Sequence, residues 1–279
     1  MSEINGSDDT TIDGEFGTLV WQTDGSYEYF LNNNTIAVQS LSVGQEITDS
    51  FTYKVEDGNG GVDSSTLVIT IIGNNDAPIA VNDFNEISEN DTIITHESPA
   101  SSGNILVNDS DIDQLDILEV ETVNNGTGTT VRGEFGVLRW DSDGTYEYEL
   151  LNSLPEVTSL AQGEVLVDTF DIVISDFNQG RDTSYLIITI NGGNQAPEAE
   201  SDTLCLFEGD ALVESPTTLL ANDFDGDASD VLNVVSLGED STGTVQGDFG
   251  QLSWSSAGVY SYEVNNELDT VINLSLIHI

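Results

Sequence analysis

Basic residues are nearly missing from this chain of 279 residues: Lys and Arg number 4 against 51 Asp and Glu, for a net charge of −47. That scarcity excludes nucleic acid as a partner, because affinity for phosphate depends on Lys and Arg. It also argues against anionic membrane surfaces. A single cysteine, Cys205, excludes an intrachain disulfide. Its place in TLCLFEG, between leucines, suggests a small buried apolar side chain more than a reactive thiol. His96 and His278 are the only histidines and sit in no recognisable motif. Paired carboxylates could serve a glycosidase, but no nucleophile–base set accompanies them, so the reading is a protein that is not an enzyme. No run approaches the roughly 18 apolar residues that span a bilayer, so no membrane insertion is expected in this segment. Long amphipathic helices are absent as well.

What is present is a long repeat. The block GEFG-x-L-x-W-x-x-D-G-x-Y-x-Y opens at Gly14, returns 119 residues on at Gly133, and recurs loosened 114 residues further at Gly247. Ala77-Pro78 maps to Ala196-Pro197, Asp57 to Asp176 and Glu89 to Glu208. A period of that size is the length of an independently folding domain rather than a solenoid unit. The expected organisation is a partial module (1–78), a whole one (79–197) and a partial one (198–279), with the chain reading as a piece of a longer protein. Met1 aligns with Val120, inside a module, and the pattern is left near Ile277.

Period-two runs dominate. STLVITIIG carries Leu67, Ile69 and Ile71 on one side, and SYLIITING repeats this with Leu186, Ile188 and Ile190. Phe51, Tyr53 and Val55 precede the first run, as Phe170, Ile172 and Ile174 precede the second. DGNGG and DFNQG close the two hairpins. The W-x-x-D-G-x-Y block is a further hairpin, with Gly25, Gly144 and Gly258 at positive φ. Seven strands are expected in the whole module, near 80–94, 103–107, 117–124, 130–140, 145–151, 166–175 and 183–191, with a helical turn near 157–160. The fold class is therefore all-β, built of tandem immunoglobulin- or cadherin-like seven-stranded β-sandwich modules with incomplete terminal modules. Trp21, Trp140 and Trp254 occupy one repeat position. They could form an aromatic stacking stripe, but their period-two spacing from Leu19 and Leu138 favours the core face of a sheet.

Acidic clusters recur in register. GNNDAP holds Asn75 and Asp76 at a module joint, and its copy GGNQAP has Gln195 in place of Asp. Carboxylate pairs follow: Asp83 with Glu89, and Asp202 with Glu208. Next come ladders, Asp109, Asp111, Asp113 and Asp116 in NDSDIDQLD, and Asp223, Asp225, Asp227 and Asp230 in NDFDGDASD. Alternate residues of an extended segment project to one side about 6.6 Å apart. Like charges held so close call for a cation. Calcium takes about six to eight oxygens in tolerant geometry. The EF-hand is excluded, since its Gly at the sixth position is replaced by Gln114 and Ala228. Loop alternation in a sandwich predicts that Asp76, Asp109, Asp111 and Asp176 converge around calcium, with Asn75 and Asp113 as additional ligands. Gln195 predicts weaker binding at the second joint. The competing readings are solvated turns, where Asp and Asn are favoured anyway, and a salt-adapted surface with no specific metal.

The segment from GEFGTLVW to GNNDAPIA resembles the VCBS repeat of large bacterial surface proteins. NNDAPIAVNDFNEISEN followed by GNILVNDSDIDQLDILEV resembles the bacterial cadherin-like module. The resemblance implies an extracellular, calcium-binding array within an adhesin or RTX-type exoprotein exported by type I secretion. It implies ligands at the linker Asp76, at Asp109 and Asp111, at Asp223 and Asp225, and at Glu89 or Glu208, with Gln195 departing from the pattern. The function expected is a calcium-stiffened adhesive segment whose partner is a surface polysaccharide or another adhesin copy. A carbohydrate- or ligand-binding accessory module of a secreted protein is the alternative.

Overall fold

In a computed structural model, the structure describes residues 3–89, 93–96, 104–207, 210, 212–239, 241 and 243–267. Strands β1 (Glu3–Ile4), β2 (Thr11–Asp13), β3 (Gly17–Trp21) and β4 (Tyr27–Leu31) lead to the single helical turn α1 (Ile36–Gln39). The long hairpin β5 (Glu46–Glu56) and β6 (Val62–Ile72) follows. Next come β7 (Asp83–Ser88), β8 (Ile93–His96), β9 (Glu119–Val123), β10 (Thr130–Arg132), β11 (Gly136–Trp140) and β12 (Tyr146–Leu150). A second helical turn, α2 (Pro155–Thr158), precedes the hairpin β13 (Val165–Ser175) and β14 (Arg181–Asn191). The last strands are β15 (Leu212–Glu214), β16 (Thr244–Gln246), β17 (Gly250–Trp254) and β18 (Tyr260–Val264). Among the described residues no helix is long and apolar enough to cross a membrane.

The chain forms two compact units. One comprises Met1–Ile87, Ile93–Leu150 and Val167–Thr189; the other comprises Ser88–Thr92, Leu151–Leu166 and Ile190–Ile279. In the first unit, sheet β1-β5-β6 accompanies β2-β3-β4, and sheet β7-β14-β13-β9 accompanies β10-β11-β12-β8. Sheet β15-β18-β17-β16 belongs to the second. The three W-x-x-D-G-x-Y blocks are antiparallel hairpins in the same register, pairing Trp21 with Tyr27, Trp140 with Tyr146, and Trp254 with Tyr260. Their turn glycines take φ of 92°, 82° and 77°, a left-handed backbone that side chains resist.

Period two sorts the side chains. Leu186, Ile188, Phe170, Ile172 and Ile174 are sealed from solvent, as are Leu138 and Tyr148. Each such side chain contributes about 1.5–3 kcal/mol by leaving water. Trp21 and Trp140 are buried too, at 2% and 5% exposure, so they pack in cores and offer no stacking stripe.

The GEFG part of the repeat owes its composition to one buried carboxylate. Asp168 accepts the N–H of Glu134 at 2.7 Å, the N–H of Phe135 at 3.1 Å and the Tyr148 hydroxyl at 2.6 Å. A Cβ on Gly133 would lie 2.4 Å from Asp168 Oδ2, so only glycine permits this approach. Asp49 plays the same part for Glu15, Phe16 and Tyr29. The rings above these carboxylates meet edge to face across the sheets, Tyr148 with Phe170 at 6.1 Å and Tyr29 with Phe51 at 6.3 Å.

Three local expectations differ from the structure. The run 80–94 is two strands, β7 and β8, and 130–140 is β10 and β11 with a bend at Glu134 and Phe135, so the middle repeat holds eight strands, β7 to β14. Residues 104–107 form turns where a strand was expected. There Asn104 Oδ1 accepts the Leu106 N–H at 2.9 Å, satisfying backbone that would otherwise join a ladder. Cys205 is exposed. Its segment forms no strand, and the flanking Leu204 and Leu206 are partly buried.

Candidate metal centre

The linker after β6 and two loops of the β7-β14-β13-β9 sheet meet within the first unit. Asp111, Asp116 and Asp176 each place a carboxylate oxygen within 4.8 Å of the others. Asp176 is held by the turn between β13 and β14, where its Oδ1 accepts the N–H of Asn178 at 2.6 Å and of Gly180 at 3.0 Å. Asn75 Nδ2 donates to Asp176 Oδ2 at 2.7 Å, and Asn178 Nδ2 donates to Asp116 Oδ2 at 3.0 Å. Asp113 is wedged beneath, its Oδ2 accepting the Asp76 N–H at 2.8 Å while its own N–H donates to Asp111 Oδ1 at 2.9 Å. Gln114 and Leu115 donate their N–H groups to Ser40 and Ser42 beside α1.

Burial drives the carboxyl groups of Asp111 and Asp113 above the usual carboxylate range, and the charges of Asp116 and Asp76 add to it. Asn75 Oδ1, Asp111 Oδ2 and Asp113 Oδ1 are buried without any hydrogen-bond donor. Among the described residues, none of the ion pairs involves these oxygens. Lys54 pairs with Glu3, Arg139 with Glu147 and Glu149, and Arg181, which feels Asp176, turns its guanidinium to Glu121. Crowded oxygens with no donor are the arrangement a hard divalent cation satisfies, and an all-oxygen set of carboxylates and an amide fits calcium.

Asp109 falls outside this group. Its segment is bent rather than extended, because Asp111 turns back to hold the Asp113 N–H. Asp109 Oδ1 accepts the Val81 N–H at 2.7 Å, and its charge acts on Asp83. Asp182, which accepts the Ala80 N–H at 2.8 Å, acts on Asp109 in turn. Burial, with the Asp109 charge behind it, pushes Asp83 up to about 7. Burial likewise raises Asp109 to about 6, against the Val81 N–H that favours its ionised form. Asp83 Oδ2 and Asp109 Oδ2 are buried with no donor.

The second unit repeats the first arrangement. Asp225, Asp227 and Asp230 place oxygens within 4.8 Å of one another. Asp227 accepts the Gln195 N–H at 2.8 Å and donates its own N–H to Asp225 at 3.0 Å, as Asp113 does with Asp76 and Asp111. Gln195 differs from Asp76 in its side chain, which donates to the Thr158 carbonyl at 2.5 Å. Glu89 belongs with this group: burial raises its carboxyl group, the Gly193 N–H opposes that, and Asp227 adds repulsion. Asp227 Oδ1 is buried without a donor, while the buried Glu89 carboxylate faces the Gly193 N–H. Asp223 accepts the Glu200 N–H at 2.9 Å, the counterpart of Asp109 and Val81. Asp202 is exposed, and Glu208 lies outside the described residues.

Alternate spacing does not select Asp116 or Asp230, which the fold brings into the two groups. Asp116 and Asp230 stand in the ladders but out of alternate register, and only a curled loop returns them to the group.

Residues 75–192 match the bacterial cadherin-like domain family, and residues 2–70 match the bacterial Ig domain family. A Rhizobium johnstonii protein described as the calcium-binding lectin RapA2 is 30% identical over 193 residues, which cover 66% of this chain and 75% of that protein. Among solved structures, extracellular cadherin domains 3–6 of protocadherin gamma B2 align with 93% of this chain and 60% of that one, at 12% identity and a TM-score of 0.46. Mouse cadherin-23 EC22–24 aligns with 91% of this chain and 74% of its own, at 12% identity and a TM-score of 0.48. The chain belongs to the same family as the Rhizobium protein described as the calcium-binding lectin RapA2, and its residues 75–192 are a bacterial cadherin-like domain.

Proposed function

We propose that this chain is a calcium-binding, non-catalytic adhesive segment of a secreted or surface-exposed bacterial protein, built from tandem modules bounded near residues 78 and 197. The observation that carries the reading is the carboxylate group of half-buried Asp111 and Asp116 with buried Asp176, in and beside which Asn75, Asp111 and Asp113 keep oxygens with no donor. Asn75, Asp76, Asp111, Asp113, Asp116 and Asp176 would hold one calcium. Glu89, Asp225, Asp227 and Asp230 would hold another, more weakly, because the Gln195 side chain is neutral and engaged elsewhere. Bound calcium supplies positive charge that lets linker and loops stay together. The chain's residues do the rest: Asp76 and Asp113 tie linker to loop, and Asp176 is fixed by its turn. The consequence is a stiff linker. Each site filled at about 100 times its dissociation constant adds about 2.7 kcal/mol to the folded state.

Isothermal titration of the metal-free chain with calcium chloride in low-salt buffer tests this. Saturable heat, and a melting temperature that EDTA lowers, are expected; the absence of both would sink the reading. The relative described as a lectin supports a second role in the same segment, recognition of polysaccharide. Export by a type I route, as in RTX adhesins, accords with the acidic, disulfide-free composition.

A further inference from the structure

Two turns of this protein share their hydrogen bonds and differ in their residues. In the turn from 57 to 61, Asp57 Oδ1 accepts the N–H of Asn59 at 2.8 Å and of Gly61 at 2.9 Å. In the turn from 176 to 180, Asp176 Oδ1 accepts those of Asn178 and Gly180 at 2.6 and 3.0 Å. Both need left-handed backbone at their second and fourth positions. The first uses Gly58 and Gly60, at φ of 71° and 96°. The second places Phe177 at 65° and Gln179 at 84°. Among the described residues, the other non-glycine positions with positive φ are all asparagines, which tolerate it. A phenylalanine held in this region is strained, and strain maintained at such a place points to a use for the side chain.

The direction of the side chains suggests the use. Asp176 is buried in the metal group and Asn178 reaches inward to Asp116, while Phe177, at 67% exposure, and Gln179 face solvent. The turn therefore has an inner edge for the cation and an outer edge bearing an aromatic ring and an amide. An aromatic face packs against the C–H face of a sugar ring, and an amide offers a donor and an acceptor to neighbouring hydroxyls. The net charge of −47 repels an anionic polymer or a second copy of the chain, and a neutral hydroxylated ring meets no such barrier. Trp21 and Trp140 are buried and cannot serve.

We propose that Phe177 and Gln179 contact a neutral polysaccharide, and that calcium at Asp176 holds their turn in the binding shape. This deepens the carbohydrate reading above and rests on the calcium site.

The test uses the whole 279-residue chain and a doubly substituted form, Phe177→Gly with Gln179→Gly, which restores the residues of the first turn. Both are applied to an array of neutral glucans, galactans and mannans, in calcium chloride or in EDTA. The wild type should bind in calcium and lose binding in EDTA. The double substitution should bind about tenfold more weakly or worse, the effect of losing one aromatic anchor, while its calcium titration and melting temperature stay at least as high. Equal glycan binding by the two forms overturns the proposal, and so does a calcium-loaded wild type that binds no glycan, in which case the calcium site still stands. Dimerisation of the wild type through this turn, absent in the double substitution, likewise overturns it. A wild type that takes up no calcium removes the reading on which it rests.

Discussion

Asp176 and Asp168 lie on the same hairpin and do opposite things. Asp168 is fully answered, with two backbone N–H groups and a tyrosine hydroxyl on its carboxylate. Asp168→Ala strands those donors in a core, at about 1–3 kcal/mol for each buried group left unpaired. The expected result is a melting temperature lower by 10 °C or so, read by circular dichroism. Asp176 is crowded by other carboxylates. Asp176→Asn keeps an oxygen to accept the Asn178 and Gly180 N–H groups but removes a charge. Calcium affinity should fall about tenfold or more, while the metal-free protein melts higher because repulsion has been relieved. An unchanged calcium isotherm would remove Asp176 from the site.

At the scale of the element, the start of β7 and the loop carrying Asp109 set a pH dependence. Asp83, raised to about 7, and Asp109, raised to about 6, prefer to be neutral in the fold. In the unfolded chain both ionise near 4. Their contribution to stability is thus complete below about pH 4 and is lost as pH climbs toward about 7. The metal-free protein should melt at a higher temperature at pH 5 than at pH 8, and Asp83→Asn should flatten that slope. An apo melting temperature that rises over this interval would contradict the burial of these groups. The β13–β14 hairpin illustrates a division of labour within an element: its strands bury Phe170, Ile172, Leu186 and Ile188, and its turn carries Asp176 outward to the linker.

For the whole molecule, 51 acidic residues against 4 basic ones make self-repulsion the standing threat to compactness. Diffuse screening and specific binding relieve it differently. Calcium chloride should raise the melting temperature at concentrations where sodium chloride of matched ionic strength does nothing. Equal effects of the two salts would support the salt-adapted surface instead. The long repeat, the hairpins at their expected places and the all-β class were legible from the chain alone. Period two and turn chemistry are local, and Gly25, Gly144 and Gly258 mark backbone that little else adopts. The strand expected near 103–107 was lost because a side-chain amide, not spacing, decides how Asn104 and Leu106 satisfy their backbone.

By itself the sequence determined that sheets would form, where their hairpins turn, and that acidic clusters recur in register. These follow from neighbours along the chain. Only the tertiary structure decided which acids meet. It drew Asp116 into the first group and Asp230 into the second, sent Asp109 to Asp83, and gave Glu89 to the group of Asp227. Loops curl according to which N–H groups their own side chains capture, and linkers land where distant strands leave room. Distances between carboxylates far apart in sequence are set by that packing, which no spacing of residues encodes.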